Sequence, residues 1–163
     1  MIIDSIKEDV KKALKEKRGE EATTLRTLMS DIKNYQIKKF AEDSKKTGLV
    51  ERKQDEVPSD EEIISVLTRG LKQMEENFSI FIHGKREDLL EAEKHKITIY
   101  KRYMPAQMTA EDLEKVIDGI LPMISGKTPQ ERFGLAMRSI LPVVKGRVDG
   151  KLVSEIVRKK LEI

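Results

Sequence analysis

Lys145-Gly146-Arg147-Val148-Asp149-Gly150-Lys151 sets three cations and two glycines within seven residues. Glycine admits positive φ and close approach of another surface, and Asp149 can cap a helix that starts beside it. Three cations around a helix N-terminus, whose free amides already favour anions, make phosphate the ligand this stretch suits. Arg158, Lys159 and Lys160 add a second basic group about two turns further on. The blander alternative is a tight capped turn whose cations face water. The candidate polyanion contacts are therefore Lys145, Gly146, Arg147, Asp149, Gly150 and Lys151, with Arg158, Lys159 and Lys160 at the periphery.

Other chemistries find less support. The chain has no Cys, which removes disulfides, thiolate catalysis and cysteine-liganded zinc. His83 and His95 are its two histidines, and no G-x-S-x-G elbow accompanies them, so no triad can be assembled. Glu91 and His95 could share a helix face as half of a carboxylate-histidine metal site, but His83 stands beside Gly84 at a helix end. Ser125-Gly126-Lys127-Thr128 ends like a phosphate-binding P-loop, yet Leu121 occupies the place of the required first glycine, and the preceding segment reads as helix. Paired acids such as Glu75-Glu76 suit solvated helix faces. Neither a catalytic residue, a metal nor a cofactor is expected.

Charge supports the same emphasis. The 163 residues carry 32 Lys plus Arg against 29 Asp plus Glu. Residues 138–163 hold 7 basic and 3 acidic side chains, whereas residues 1–98 hold 20 and 21. The positive excess is thus concentrated at the end of the chain.

Helical spacing must position these groups, since no β-branched run alternates with polar residues for long. A short amphipathic helix behind an Asp4 or Ser5 cap carries Ile3, Ile6, Val10, Ala13 and Leu14 inward and stops before Gly19. A second starts near Glu20 and buries Leu25, Leu28, Met29, Ile32 and Tyr35. Residues 41–58 offer little apolar surface against the entropy of ordering and read as a mobile loop. Ser59-Asp60-Glu61-Glu62 is a capping box opening a helix with Ile63, Leu67, Leu71, Met74, Phe78 and Phe81 on one stripe, closed by Gly84. The next helix runs from about Arg86 to Tyr103 and is stopped by Pro105. Shorter helices follow, opened by Thr109 and by Thr128-Pro129, and a last one buries Leu152, Val153, Ile156, Val157 and Leu161. The expected fold is all-α: a domain of long helices over 1–104 and a small three-helix domain over 105–163. No apolar run is long enough to cross a bilayer. The N-terminal Met1-Ile2-Ile3-Asp4 lacks the pattern of a secretory signal, so a cytoplasmic location is expected.

Four motifs, in order and at matching intervals, give the chain a family resemblance. Ser59-Asp60-Glu61-Glu62-Ile63-Ile64, His83-Gly84-Lys85-Arg86-Glu87-Asp88-Leu89, Tyr103-Met104-Pro105-Ala106-Gln107-Met108 and Lys145-Gly146-Arg147-Val148-Asp149-Gly150-Lys151-Leu152-Val153 together resemble the YqeY family of the GatB/YqeY superfamily. The resemblance implies an all-α protein whose C-terminal domain is similar to the tail of the B subunit of the glutamyl- and aspartyl-tRNA amidotransferase. In that enzyme the tail contacts tRNA while the chemistry belongs to other parts. A non-catalytic module for RNA, specifically tRNA, is the function expected. A protein-interaction adaptor using the N-terminal helices, or a carbon-nitrogen ligase with glutamine as amide donor, are the alternatives.

Overall fold

A computed structural model describes residues 1–47 and 57–163. Among these residues it contains seven α-helices, one 3-10 turn and no strand. The chain forms two compact units, Met1–Tyr103 and Met104–Ile163, which are taken in turn.

In the first unit, α1 (Ile2–Lys15) pairs chiefly with α2 (Gly19–Thr47), and α3 (Asp60–His83) with α4 (Glu87–Arg102). Ile6, Leu25, Leu28, Ile63, Leu67 and Ile99 are fully buried at their centre. The start of α1 differs from the expected Asp4 or Ser5 cap: the helix begins at Ile2, whose N–H donates to Asp60 Oδ1 at 2.9 Å. An acid from the first turn of α3 thus does from a distance what a local cap would do. Leu14 lies on the solvent side of the stripe, 50% exposed, contrary to expectation. Met29 and Tyr35 are half-buried.

Residues 41–47, expected in a mobile loop, continue α2, while 48–56 lie outside the described residues. Ala41, Glu42 and Lys45 are good helix formers, and extending an existing helix avoids the cost of nucleation. Lys39 Nζ, near this end of α2, donates to Glu62 Oε1 at 2.7 Å. Glu62 is buried and also accepts from the Ser59 N–H at 3.0 Å, while its own N–H donates to Ser59 Oγ at 3.3 Å. The capping box read from the sequence is therefore also an anchor for α2.

Gly84 caps the end of α3 as its position predicts, but in the right-handed region at φ −78°, and the left-handed position falls to the next residue, Lys85, at φ 52°. The Arg86 N–H then reaches back to the Phe81 carbonyl at 3.1 Å, as a Schellman closure requires. Lys17 does the same after α1, with φ 55°. Arg86 Nε and Nη2 grip the Asp88 carboxylate at 3.0 and 2.8 Å, which holds the Asp88 pKa below its ordinary value. The glycine that matters for packing is Gly70: a Cβ there would stand 2.7 Å from Tyr100 Cε1, so its absence lets α4 seat this ring against α3. Burial, reinforced by the Asp31 and Glu93 carboxylates, pushes the Tyr100 phenol up to about 12. At the end of α4 the Tyr103 hydroxyl donates to Asp9 Oδ2 at 2.5 Å, and Arg102 Nη1 donates to the buried Glu21 at 2.8 Å.

In the second unit, α5 (Ala110–Ile120) runs into the 3-10 turn (Leu121–Met123), followed by α6 (Pro129–Val144) and α7 (Gly150–Leu161). Leu113, Ile117, Leu121, Ala136, Ile140, Val144, Val153 and Val157 form one buried core. Thr109 and Thr128 cap α5 and α6 by accepting from Asp112 N and Glu131 N at 3.1 and 3.2 Å. Pro142 sits within α6 without ending it. It cannot donate to the Arg138 carbonyl, but it lies on the exposed side while Ile140 and Val144 stay buried on the other. Leu152, expected inward, is 36% exposed at the edge of the α7 stripe. Among the described residues no helix is long and apolar enough to cross a membrane.

Candidate polyanion interface

The loop between α6 and α7 is built jointly with the segment that leads into α5. The Val144 carbonyl accepts from the Arg147 N–H at 3.0 Å, which folds the chain back after α6. Gly146 takes φ 74°, a conformation that a side chain would strain. Three bonds then tie the loop to the segment before α5: the Met108 N–H donates to the Arg147 carbonyl at 2.8 Å, Gln107 Nε2 to the Gly146 carbonyl at 3.1 Å, and Arg147 Nε to the Ala106 carbonyl at 3.2 Å. Two motifs some forty residues apart in sequence are thus one piece of structure. Ala106, Gln107 and Met108 were absent from the sequence-derived site. The signal for them was the presence of Tyr103-Met104-Pro105-Ala106-Gln107-Met108 among the family motifs.

Asp149 caps α7, but its Oδ1 accepts from the Lys151 N–H at 2.8 Å. That carboxylate already occupies the helix start where a phosphate was expected, and it would repel one there. The groups this loop could offer an anion are therefore side chains. Lys145 and Lys151 are exposed and Arg147 is half-buried, its Nε spent on Ala106 and its terminal nitrogens free of described carboxylates. Gly146 and Gly150 supply backbone shape and no charge.

The second basic group divides. Lys160 Nζ pairs with Asp118 Oδ1 at 2.6 Å, its side chain 27% exposed, so it already has a carboxylate partner. Arg158 lies over the Phe133 ring, Cζ 5.2 Å from the centroid, and Lys159 is exposed. From Pro129 to Leu161, the start of α6 to the end of α7, there are eight basic residues and three acidic ones, Glu131, Asp149 and Glu155, whereas α5 holds one and four. The C-terminal unit therefore has an acidic helix, α5, and a basic α6–α7 pair.

The remaining sequence candidates serve caps and turns. At the P-loop-like stretch, Thr128 caps α6 and the Lys127 N–H donates to Glu131 Oε2 at 2.9 Å, leaving that amide unavailable to a phosphate. His83 Nδ1 lies 2.7 Å from the Ser79 carbonyl. Among the described residues no group of three or more His, Asp or Glu side chains is arranged to hold a metal.

Comparison with known proteins gives the kinship. A protein from Kluyveromyces lactis named altered inheritance of mitochondria protein 41, mitochondrial, is 30% identical over 152 residues, covering 91% of this chain and 70% of its own. Its namesake from Clavispora lusitaniae is 31% identical over 113 residues, covering 69% of this chain and 57% of its own. That from Candida glabrata is 25% identical over 130 residues, at 78% and 64%. The chain thus spans 57% to 70% of the length of these relatives. All three carry mitochondrial names, which overturns the cytoplasmic location expected from the N-terminal residues. The family described as Yqey-like protein matches residues 3–161, so the resemblance read from four short motifs extends over nearly the whole sequence, and the chain belongs to the YqeY family.

Proposed function

We propose that the C-terminal unit is a non-catalytic RNA-binding module that holds the phosphate backbone of a folded RNA of tRNA type. The observation that carries this reading is the set of cations left without a described carboxylate partner around one rigid loop: Lys145, Arg147 and Lys151, joined along α7 by Arg158 and Lys159. A loop pinned by three hydrogen bonds fixes the backbone positions from which these side chains extend, and a defined set of attachment points suits a folded polyanion. Phe133 is the only aromatic residue after Tyr103, and it lies beneath Arg158, so stacking of unpaired bases on rings has no platform here. Backbone and shape are what remain to be read. Filter binding of tRNA at low and moderate salt tests this. The expected result is binding that falls steeply with salt and is weakened by Arg147→Ala with Lys151→Ala. Absence of binding at low salt, or indifference to the double substitution, refutes it. Ammonia release from glutamine above a heat-treated control would refute the non-catalytic part.

A second reading, a protein adaptor working through the N-terminal helices, draws on Ile80 and Ile82, which are 65% and 52% exposed at the end of α3. Pull-down after nuclease treatment separates the two, because a protein partner survives loss of RNA.

A further inference from the structure

Arg158, like Arg147, is a cation whose side chain is held in place without being neutralised, and it is the one on α7. Its guanidinium carbon lies 5.2 Å from the centroid of Phe133, a half-buried ring packed on the C-terminal core. A ring wedged into a core is a fixed support, so the guanidinium above it is confined as well. Arg158 is nonetheless exposed, and no described carboxylate pairs with it. Lys160, two residues on, shows the contrast: it is tied to Asp118. Arg158 stands seven positions after Lys151, which places them within about 20° on one face of α7 and about 10 Å apart along it. That face lies away from Val153 and Val157, which are fully buried.

We propose that Arg158, supported by Phe133, is the phosphate fork of this surface: two guanidinium N–H groups donate to one phosphodiester of the bound RNA while Lys151 meets another as a point charge. The proposal rests on the RNA reading above and deepens it by naming the residue that sets orientation. A guanidinium matches phosphate oxygens two at a time, which an ammonium cannot do. An arginine already confined by a ring loses little further freedom on gripping its ligand, whereas a free surface lysine loses more.

The test is the binding of labelled tRNA by fluorescence anisotropy across a salt series, using the full chain. Arg158→Lys keeps the charge and removes the fork. It is expected to weaken binding about tenfold with the salt slope unchanged, because the number of neutralised phosphates stays the same. Phe133→Leu keeps an apolar side chain against the core and is expected to weaken binding in the same direction by a smaller factor. Lys159→Gln, removing a charge with no fork, is expected to lower the salt slope instead. Binding by Arg158→Lys within twofold of the unaltered chain overturns the fork alone. Absence of tRNA binding by the unaltered chain overturns the RNA reading and the fork with it. Arg158 is exposed, so the decisive variant does not depend on repacking the core.

Discussion

Raising salt from about 50 mM to about 200 mM should weaken tRNA binding by this chain about 100- to 500-fold, and the figure follows from which cations are free. Six basic residues stand in the candidate site by sequence: Lys145, Arg147, Lys151, Arg158, Lys159 and Lys160. The structure removes Lys160, whose Nζ is 2.6 Å from Asp118 Oδ1. Five remain. Each phosphate they neutralise releases counterions and adds about −0.7 to −0.9 to the slope of log affinity against log salt, giving about −3.5 to −4.5 in total. Anisotropy titrations at four salt concentrations measure that slope directly. Lys151→Gln should make it shallower by nearly one, since one phosphate contact is lost. Lys160→Gln removes the same formal charge and should leave the slope unchanged, because Lys160 faces Asp118 and not the ligand. A slope shallower than about −2 in the unaltered chain, or equal effects of the two substitutions, would refute the assignment of contacts.

Four further outcomes concern the folded state. Ser59→Ala should cost about 1 kcal/mol in urea unfolding, since it opens the capping box that also seats Glu62 beneath Lys39. Lys85→Gly should stabilise the chain by about 0.5 kcal/mol, because relief of the left-handed strain at φ 52° outweighs the added freedom of the unfolded glycine. Gly146→Ala should do the opposite, lowering stability by about 1 kcal/mol at φ 74° and loosening the loop that carries Arg147. Burial raises the Tyr100 phenol to about 12, above the value of 10.0 that an unburied one has, so the stability it contributes is complete below pH 10 and is lost as pH climbs towards 12. The urea midpoint should therefore fall between pH 9 and pH 11, and fall less in Tyr100→Phe.

Helix existence was legible because it depends on apolar period, and the core residues Leu25, Leu28, Ile63, Leu67, Leu113, Ile117, Val153 and Val157 all lie on stripes visible in the sequence. Ends were less legible, for reasons that differ from case to case. The start of α1 depends on Asp60, 58 residues away, which no local rule can supply. The closures after α1 and α3 place Lys17 and Lys85 where propensity favours glycine, so the local backbone bonds of the closure override a preference of about 1 kcal/mol. Residues 41–47 carry few apolar side chains but many helix formers, and continuity with α2 decided their state.

The site shows the same division between composition and pairing. Sequence composition located the cationic segment, since a count of charges needs no coordinates. Which cations are available is a matter of partners brought together by folding, and it separates residues that are neighbours in the chain: Lys160 goes to Asp118 on α5, Arg158 goes onto Phe133 on α6, and Lys159 faces solvent. Asp149 makes the same point with the opposite sign. Read locally it prepares a helix start for phosphate, yet its carboxylate accepts the amide that the phosphate would need. The proposed polyanion site rests on side chains and not on the helix terminus, and that difference alters what is measured. A site built on backbone amides would bind a lone phosphate with little dependence on salt, whereas a site built on five separated cations gains affinity only from a ligand that offers several phosphates at once, and loses it steeply as salt competes.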